Sequence, residues 1–280
     1  MFVFAVSVPV FAQQSLLDQG RAALQRNDAE AAKNLLEQAI AQTPNNVEAH
    51  YLLGQAYGTL ISSASIFSKP GLATKTREQF EQAIQLDPNF IDARFGMIEW
   101  YLNAPGFMGG GEDKAVTEAT EVKKRDAIDG HRAFAMIYAH QKKPDLVRKE
   151  YVDAVKEQPN SPRAHYYLGI SNLQAKDNAG ASAEFETAIK IEPQYMPGWF
   201  QIGHMAAITG TNMERGEDSL RKYLSYTPKR NEPPVYRAHF WLGTIYEKQG
   251  KKAEAKASFA KALSANPNQK DVQEALKRVS

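Results

Sequence analysis

The chain matches itself at a spacing that recurs along most of its length. The block from Pro162 to Tyr195 aligns with the block from Tyr236 to Gln269, and each is 34 residues long. Ala164-His165-Tyr166-Tyr167-Leu168-Gly169 falls on Ala238-His239-Phe240-Trp241-Leu242-Gly243, and Ala181, Phe185, Ala188 and Pro193 fall on Ala255, Phe259, Ala262 and Pro267. The same frame catches Ala49-His50-Tyr51-Leu52-Leu53-Gly54 with Tyr57, Phe80, Ala83 and Pro88. It also catches Gly20, Ala32, Leu36, Ala39 and Pro44 near the start, and Trp199, Ile202, Gly203 and Pro228 later. A period of this length constrains the fold more than any composition does. Each unit is one supersecondary element, too small to bury its own apolar face, so successive units must stack on one another.

Inside a unit the spacing reads as two antiparallel helices. Gly169 and Gly243 let the partner helix approach closely, and Ala181 and Ala255 do the same from the second helix. Phe185 and Phe259 stand four residues after those alanines, hence on the same helical face, and fill the space between pairs. Pro193 and Pro267 end the second helix and start the turn. A stack needs a polar cap at its end. Val272, Ala275, Leu276 and Val279 form an apolar stripe, with Lys270, Asp271, Glu274, Lys277 and Arg278 on the opposite face.

The spacing of aromatic, Leu-Gly, Tyr, Ala, Phe, Ala and Pro resembles the tetratricopeptide repeat family, over essentially everything after residue 13. The resemblance implies an all-α fold, a right-handed α-α superhelix of about seven helix-turn-helix repeats with a C-terminal capping helix. Counted in that frame the repeats run 13–46, 47–90, 91–127, 128–161, 162–195, 196–235 and 236–269, and the cap 270–280. The surplus over seven regular repeats lies in repeats two, three and six and in the tail, leaving no second domain. In this family the first helices line a concave groove, with the second, fifth, ninth and twelfth positions turned into it. That maps partner-binding positions onto Tyr51, Gln55, Phe95, Glu99, Arg132, Met136, Tyr166, Ile170, Phe200 and Phe240. Aromatics with a few polar groups suit an extended peptide or a partner helix, although the fifth position is also half core in the family pattern. The variant of the family that grips a C-terminal carboxylate with Lys, Asn and Arg is not recognisable, since Arg132 and Arg163 stand alone.

Two repeats depart from the pattern at the same place. Repeat two lengthens the link between its helices over 58–72, and repeat three over 103–114. Equivalent insertions in neighbouring units should lie side by side on one edge, and clustered insertions on a solenoid mark either a binding surface or tolerated loop drift. Phe67, Phe107, Met108, Gly109, Gly110 and Gly111 are the residues of that edge. The glycine run lacks the spacing and the preceding strand of a phosphate loop, so its glycines are expected to turn the chain around Phe107 and Met108.

The chemistry of sites is otherwise thin. Four histidines, His50, His131, His165 and His239, share the fourth repeat position. Stacked helices hold equivalent positions about 8–10 Å apart, too far for one zinc ion with nitrogens at about 2 Å, so they are expected to pack in place of the usual aromatic. His140 and His204 have no acidic or histidine partner four residues on. Neither a nucleophile elbow nor a metalloprotease motif occurs, and no metal, cofactor or enzymatic activity is expected. The chain has 280 residues, 34 basic against 32 acidic, and no cysteine. The formal net charge of +2 gives no reason to expect nucleic acid, and the lack of cysteine removes disulfides and thiolate chemistry.

Residues 1–12, MFVFAVSVPVFA, carry no charged side chain and are too short to span a bilayer. Pro9 and four valines make them a poor helix. They read as a secretory signal cleaved after Ala12, without the usual basic residue before the apolar run. The mature chain then has no integral membrane segment and is periplasmic or secreted. The sequence therefore predicts a non-catalytic scaffold or adaptor of the bacterial cell envelope, binding another protein or peptide through the groove and the loop edge. The alternative is a small-molecule or substrate-binding component of a transport or envelope-polymer system.

Overall fold

A computed structural model describes residues 10–229 and 231–280. The expected leader therefore lies outside the described residues as far as Pro9, while Val10, Phe11 and Ala12 open the first helix. Among the described residues there are fifteen α-helices and no strand. They are α1 (Val10–Gln25), α2 (Ala29–Gln42), α3 (Val47–Ile61), α4 (Lys69–Leu86), α5 (Ile91–Asn103), α6 (Glu112–Arg125), α7 (Ala127–His140) and α8 (Pro144–Glu157). There follow α9 (Pro162–Gln174), α10 (Asn178–Ile191), α11 (Met196–Thr209), α12 (Met213–Leu224), α13 (Val235–Lys248), α14 (Lys252–Ala265) and α15 (Lys270–Val279). The chain is an all-α helical-repeat solenoid. It falls into two compact units that divide after Lys142, the first ending with α7 and the second beginning with α8.

In the first unit the hairpins α1/α2, α3/α4 and α5/α6 pack in sequence, with α7 on α6. In the second, α8 packs on α9, followed by the hairpins α9/α10, α11/α12 and α13/α14. The glycines of the first helices set how near the second helices come. A methyl on Gly169 would stand 2.5 Å from the Phe185 ring, and one on Gly243 2.6 Å from Phe259. Phe80 is held from two sides, because Gly54 and Gly96 both press on its ring. Each of these phenylalanines is buried. The stack ends on α15, which buries Val272, Ala275 and Val279 against α13 and α14.

Turns follow a rule that spans both units. The fifteenth position of five repeats has positive φ: Asn27 (61°), Lys142 (58°), Lys176 (63°), Gly210 (73°) and Gly250 (75°). Within a unit, at Asn27, Lys176, Gly210 and Gly250, one left-handed residue reverses the chain tightly between the two helices of a hairpin. Asp28 and Asp177 then cap the helices that follow, accepting from the amides of Ala31 (3.1 Å) and Gly180 (2.8 Å). The two repeats without this residue are the ones with inserts, at Ile61 and Pro105. Extra chain entered where the regular turn was lost.

A second rule joins one hairpin to the next. The residue at position four donates to the carbonyl of the proline six residues earlier, at the end of the preceding hairpin. His50 Nε2 reaches Pro44 (2.8 Å), His165 Nε2 Pro159 (2.9 Å), Trp199 Nε1 Pro193 (2.9 Å), and Gln273 Nε2 Pro267 (2.8 Å). Arg94 does the same at Pro88 with Nε and Nη2, at 3.0 and 2.9 Å. The other end of three of these side chains meets the second helix of its own hairpin: His50 at Gln79 (2.7 Å), His165 at Glu184 (2.6 Å) and Arg94 at Glu118. For His50 and His165 this adds a donor role to the packing role expected of the histidines. What these position-four residues share is an N–H donor long enough to reach the carbonyl at the end of the preceding hairpin. Two of the position-four histidines fall outside this rule: Arg125, not a proline, stands six residues before His131, and at His239 the Pro233 carbonyl is taken by Tyr223.

In the first unit the second insert is held against α4, the helix that follows the first insert. The indole N–H of Trp100 on α5 donates to the Ala73 carbonyl on α4 (2.9 Å), and Arg77 on α4 reaches the Met108 carbonyl (3.5 Å) across the Trp100 ring. The second insert is a short 3-10 turn, Gly106–Met108, closed by Gly109 at φ 100°. The Gly110 amide donates to Pro105 and that of Gly111 to Tyr101. A methyl on Gly110 would lie 1.9 Å from the Ala104 carbonyl oxygen, so the run is glycine for lack of room. Glu112 and Asp113 occupy the first turn of α6, which sets negative charge where a phosphate would have to sit.

Candidate functional site

The face built from the first helix of each hairpin differs between the two units. In the first unit it runs over α3, α5 and α7. Tyr51 and Phe95, expected to line the groove, are buried. Tyr51 packs edge-on against Phe90 at 5.4 Å and near Phe80 at 6.0 Å, and Phe95 lies under the Arg132 guanidinium, 4.0 Å from the ring centre. Above these rings stand Gln55 and Glu99, both exposed, and Arg132 and Met136, both half-buried. Gln55 donates to the Tyr51 hydroxyl (2.8 Å), and Arg132 reaches Asp129 (3.4 Å). Arg21 on α1 pairs with Glu48 (3.1 Å) and with Asp18. This face offers charges and amides over covered rings.

In the second unit the corresponding face, α9, α11 and α13, carries a chain of aromatic contacts. Tyr167 stacks on Tyr151 at 5.9 Å and meets Tyr166 edge-on at 5.4 Å, and Tyr166 meets Tyr195 edge-on at 5.8 Å. Gln201 reaches the Tyr166 hydroxyl (3.4 Å), crossing from α11 to α9. Further along, His204 lies on Trp241 with centroids 4.4 Å apart, and Trp241 touches Phe240 at 4.7 Å. Arg237 spreads over Tyr236, Phe240 and Trp241 at 5.6 to 5.8 Å and is held at its far end by Asp271 (2.5 Å). Phe200 is buried beneath Tyr223, whereas Tyr166, Tyr167, Ile170, Phe240 and Trp241 remain partly open. Burial holds the Tyr195 hydroxyl far above its ordinary pKa, and it lowers that of His204 to about 4, with Arg237 adding to the effect. His204 is therefore a neutral ring at pH 7, suited to stacking rather than to carrying charge.

Of the ten groove positions expected, Tyr51, Phe95 and Phe200 thus belong to the core. Sequence reasoning missed Tyr167, Tyr195, Arg237 and Trp241. The doublets Tyr166-Tyr167 and Phe240-Trp241, at positions five and six of two repeats, were the available signal. A helix turns about 100° per residue, so the second ring of a doublet sits on the flank of the face. At the insert edge, Ile66, Phe67 and Phe107 are the most exposed large apolar residues described, and Met108 is half-buried. A cleft of about 250 Å³ also opens in the second unit beside Ser182, Thr209 and Arg215, but Arg215 is already paired with Glu186 (3.1 Å). Among the described residues no cluster of His, Asp and Glu could hold a metal ion, and no helix is long and apolar enough to cross a membrane.

Comparison with known proteins gives one family. Profiles described as TPR repeat or tetratricopeptide repeat match residues 20–60, 133–195 and 236–269. No curated protein sequence matches. Among solved structures, a tetratricopeptide repeat protein from Parabacteroides merdae is similar over 96% of this chain and 98% of its own, at 15% identity and a TM-score of 0.51. The APC/C hetero-tetramer Cut9-Hcn1 matches 99% of this chain at 16% identity and a TM-score of 0.54. Human IFIT1, solved as a dimer with PPP-AAAA, matches 95% at 20% identity and a TM-score of 0.54. The chain spans about half of the Cut9-Hcn1 chain it matches, 49%, and 63% of that of IFIT1. At these identities the likeness shows the fold alone.

Proposed function

The chain belongs to the tetratricopeptide repeat family, whose solenoids act as interaction scaffolds, and on that premise we propose that it is a non-catalytic adaptor of the bacterial cell envelope. Its partner is a protein segment, extended or helical, laid along the first-helix face of the second unit. The observation that carries this reading is the partly open ring chain from Tyr167 to Tyr166 and from His204 through Trp241 to Phe240. Half-exposed rings already fixed by their neighbours bind with little further loss of entropy, and aromatic and arginine anchors dominate binding energy at interfaces. The Arg237 guanidinium, anchored by Asp271, supplies a fixed positive group beside them. The first unit has its own first-helix face, where Gln55, Glu99 and Arg132 are polar and Met136 is apolar. The envelope location rests on the uncharged apolar run of residues 1–12, read as a leader removed after Ala12.

Photo-crosslinking amino acids placed in turn at Tyr166, Trp241 and, on an outer helix, Lys190 test the proposal in cells. The expected outcome is one partner captured from the first two positions and not from the third, and lost when Trp241→Ala and Tyr166→Ala are combined. Capture from Lys190 alone would refute the face chosen here. N-terminal sequencing of the protein recovered from the envelope fraction checks the leader: a start at Gln13 supports it, and an intact Met1 in the cytosol overturns the location.

A further inference from the structure

Away from the partner-binding face, the insert edge of the first unit has its own character. Phe67 is 93% exposed, Phe107 89% and Ile66 77%, far beyond the next large apolar residues, Val116 at 41% and Ile208 at 40%. The rings project from two different turns. The second turn is fixed to α4, the helix that follows the first, by Arg77 to Met108, and α5 is fixed to α4 by Trp100 to Ala73. Small polar residues surround the first tip, Ser62, Ser63, Ser65 and Ser68, and glycines flank the second, Gly106 and Gly109. Charge is distributed unevenly around them. From residue 58 to 77 the chain carries Lys69, Lys75 and Arg77 and no acid, and residues 103–111 carry no charge at all. Glu112 and Asp113, with Lys114, come only at the start of α6, where Glu112 accepts from Gln141 (2.8 Å).

We propose that this edge docks on an anionic lipid surface, with Phe67 and Phe107 entering the headgroup–acyl boundary and Lys69, beside Phe67, facing the headgroups, whereas the Lys75 ammonium lies over the Tyr57 ring. A protein partner recognises a contiguous, close-packed patch. Two separate rings on short polar turns offer no such patch, but each is a wedge that a fluid bilayer can enclose without complementary shape. Aromatic side chains at the interface and lysines beside them are the combination that holds peripheral proteins to anionic membranes. Lysines near such a surface add to the attraction and make it salt-dependent. The inference is independent of the partner-binding face, because it uses other residues and the other unit.

Vesicle co-sedimentation of the full chain tests it, with mixed phosphatidylglycerol–phosphatidylcholine vesicles beside pure phosphatidylcholine. The wild type is expected to bind the anionic vesicles and to lose binding as salt rises. Phe67→Ser with Phe107→Ser should weaken that binding by roughly tenfold or more, and Lys69→Gln should reduce the preference for anionic lipid, both without changing the thermal melt. Phe67, Phe107 and Lys69 are exposed, so folding is not at stake. Equal binding by wild type and the serine variant would overturn the proposal and assign membrane affinity to the apolar N-terminus. No binding by the wild type would also overturn it. Wild-type self-association that the serine variant abolishes, without vesicle binding, would make the edge a protein contact instead and refute the lipid assignment.

Discussion

The first unit exposes its aromatic side chains at hairpin ends, and the second gathers its own along the face of its first helices. Both are built by the same glycine–aromatic contacts and the same position-four donors, so the repeat itself does not account for the difference. Its origin is where each unit absorbed extra chain. In the first unit the inserts entered between the two helices of a hairpin, at the fifteenth position, and they pack Leu72 and Ala104 on the core while leaving Ile66, Phe67 and Phe107 exposed. In the second, the extra residues after α12 lie between hairpins, where Tyr226 packs against Tyr223 of that helix. A solenoid therefore tolerates added length at either turn, but the turn within a hairpin is the one that left its largest apolar side chains outside the core.

The largest test of the two-unit description is Phe80→Ala against Phe185→Ala. Truncating a buried phenylalanine costs about 3–5 kcal/mol, and Phe80 should lie at the upper end because two helices close on it through Gly54 and Gly96. Hydrogen exchange should show lost protection confined to the unit that carries the substitution, and an even loss over the whole chain would break the comparison. Next comes pH. His204 has a folded pKa of about 4 against 6.5 unfolded, so the unfolded state binds the extra proton. Stability of the second unit is thus full above pH 6.5 and falls as pH drops toward 4, by up to about 3 kcal/mol. His204→Phe should flatten that slope in urea titrations, and an unchanged slope would remove His204 as its cause.

Smaller effects probe the rules the units share. His165→Leu removes the contacts to the Pro159 carbonyl and Glu184 and should cost about 0.5–1.5 kcal/mol, as His50→Leu should in the first unit. At position fifteen, Lys176 is a non-glycine residue at φ 63°, so Lys176→Gly should stabilise by about 1 kcal/mol, and Gly250→Ala should destabilise by a similar amount. Chemical denaturation of the two variants checks both signs.

Much of the fold was legible because it depends on identities that must recur. Glycine opposite phenylalanine, alanine at the crossing and proline after the second helix are local steric demands, and each repeat must meet them again. The donor role of position four was not legible in its histidines, since Arg94, Trp199 and Gln273 share no side-chain class with them. They share only a donor at the right reach, which becomes visible once the proline carbonyl six residues earlier is located in space. The places of the two inserts followed from counting residues, but the exposure of Phe67 and Phe107 did not.

Position five draws the boundary most clearly. The sequence by itself determined that Tyr51, Phe95, Tyr166, Phe200 and Phe240 occupy equivalent places on first helices, because the period sets the register. Only the tertiary structure decided which of them are core. Phe95 is covered by the Arg132 guanidinium, Tyr51 by Phe90 and Phe200 by Tyr223, while Tyr166 and Phe240 are left partly open. Burial at a repeat position depends on what neighbouring elements lay over it, and the period of the chain carries no information about that.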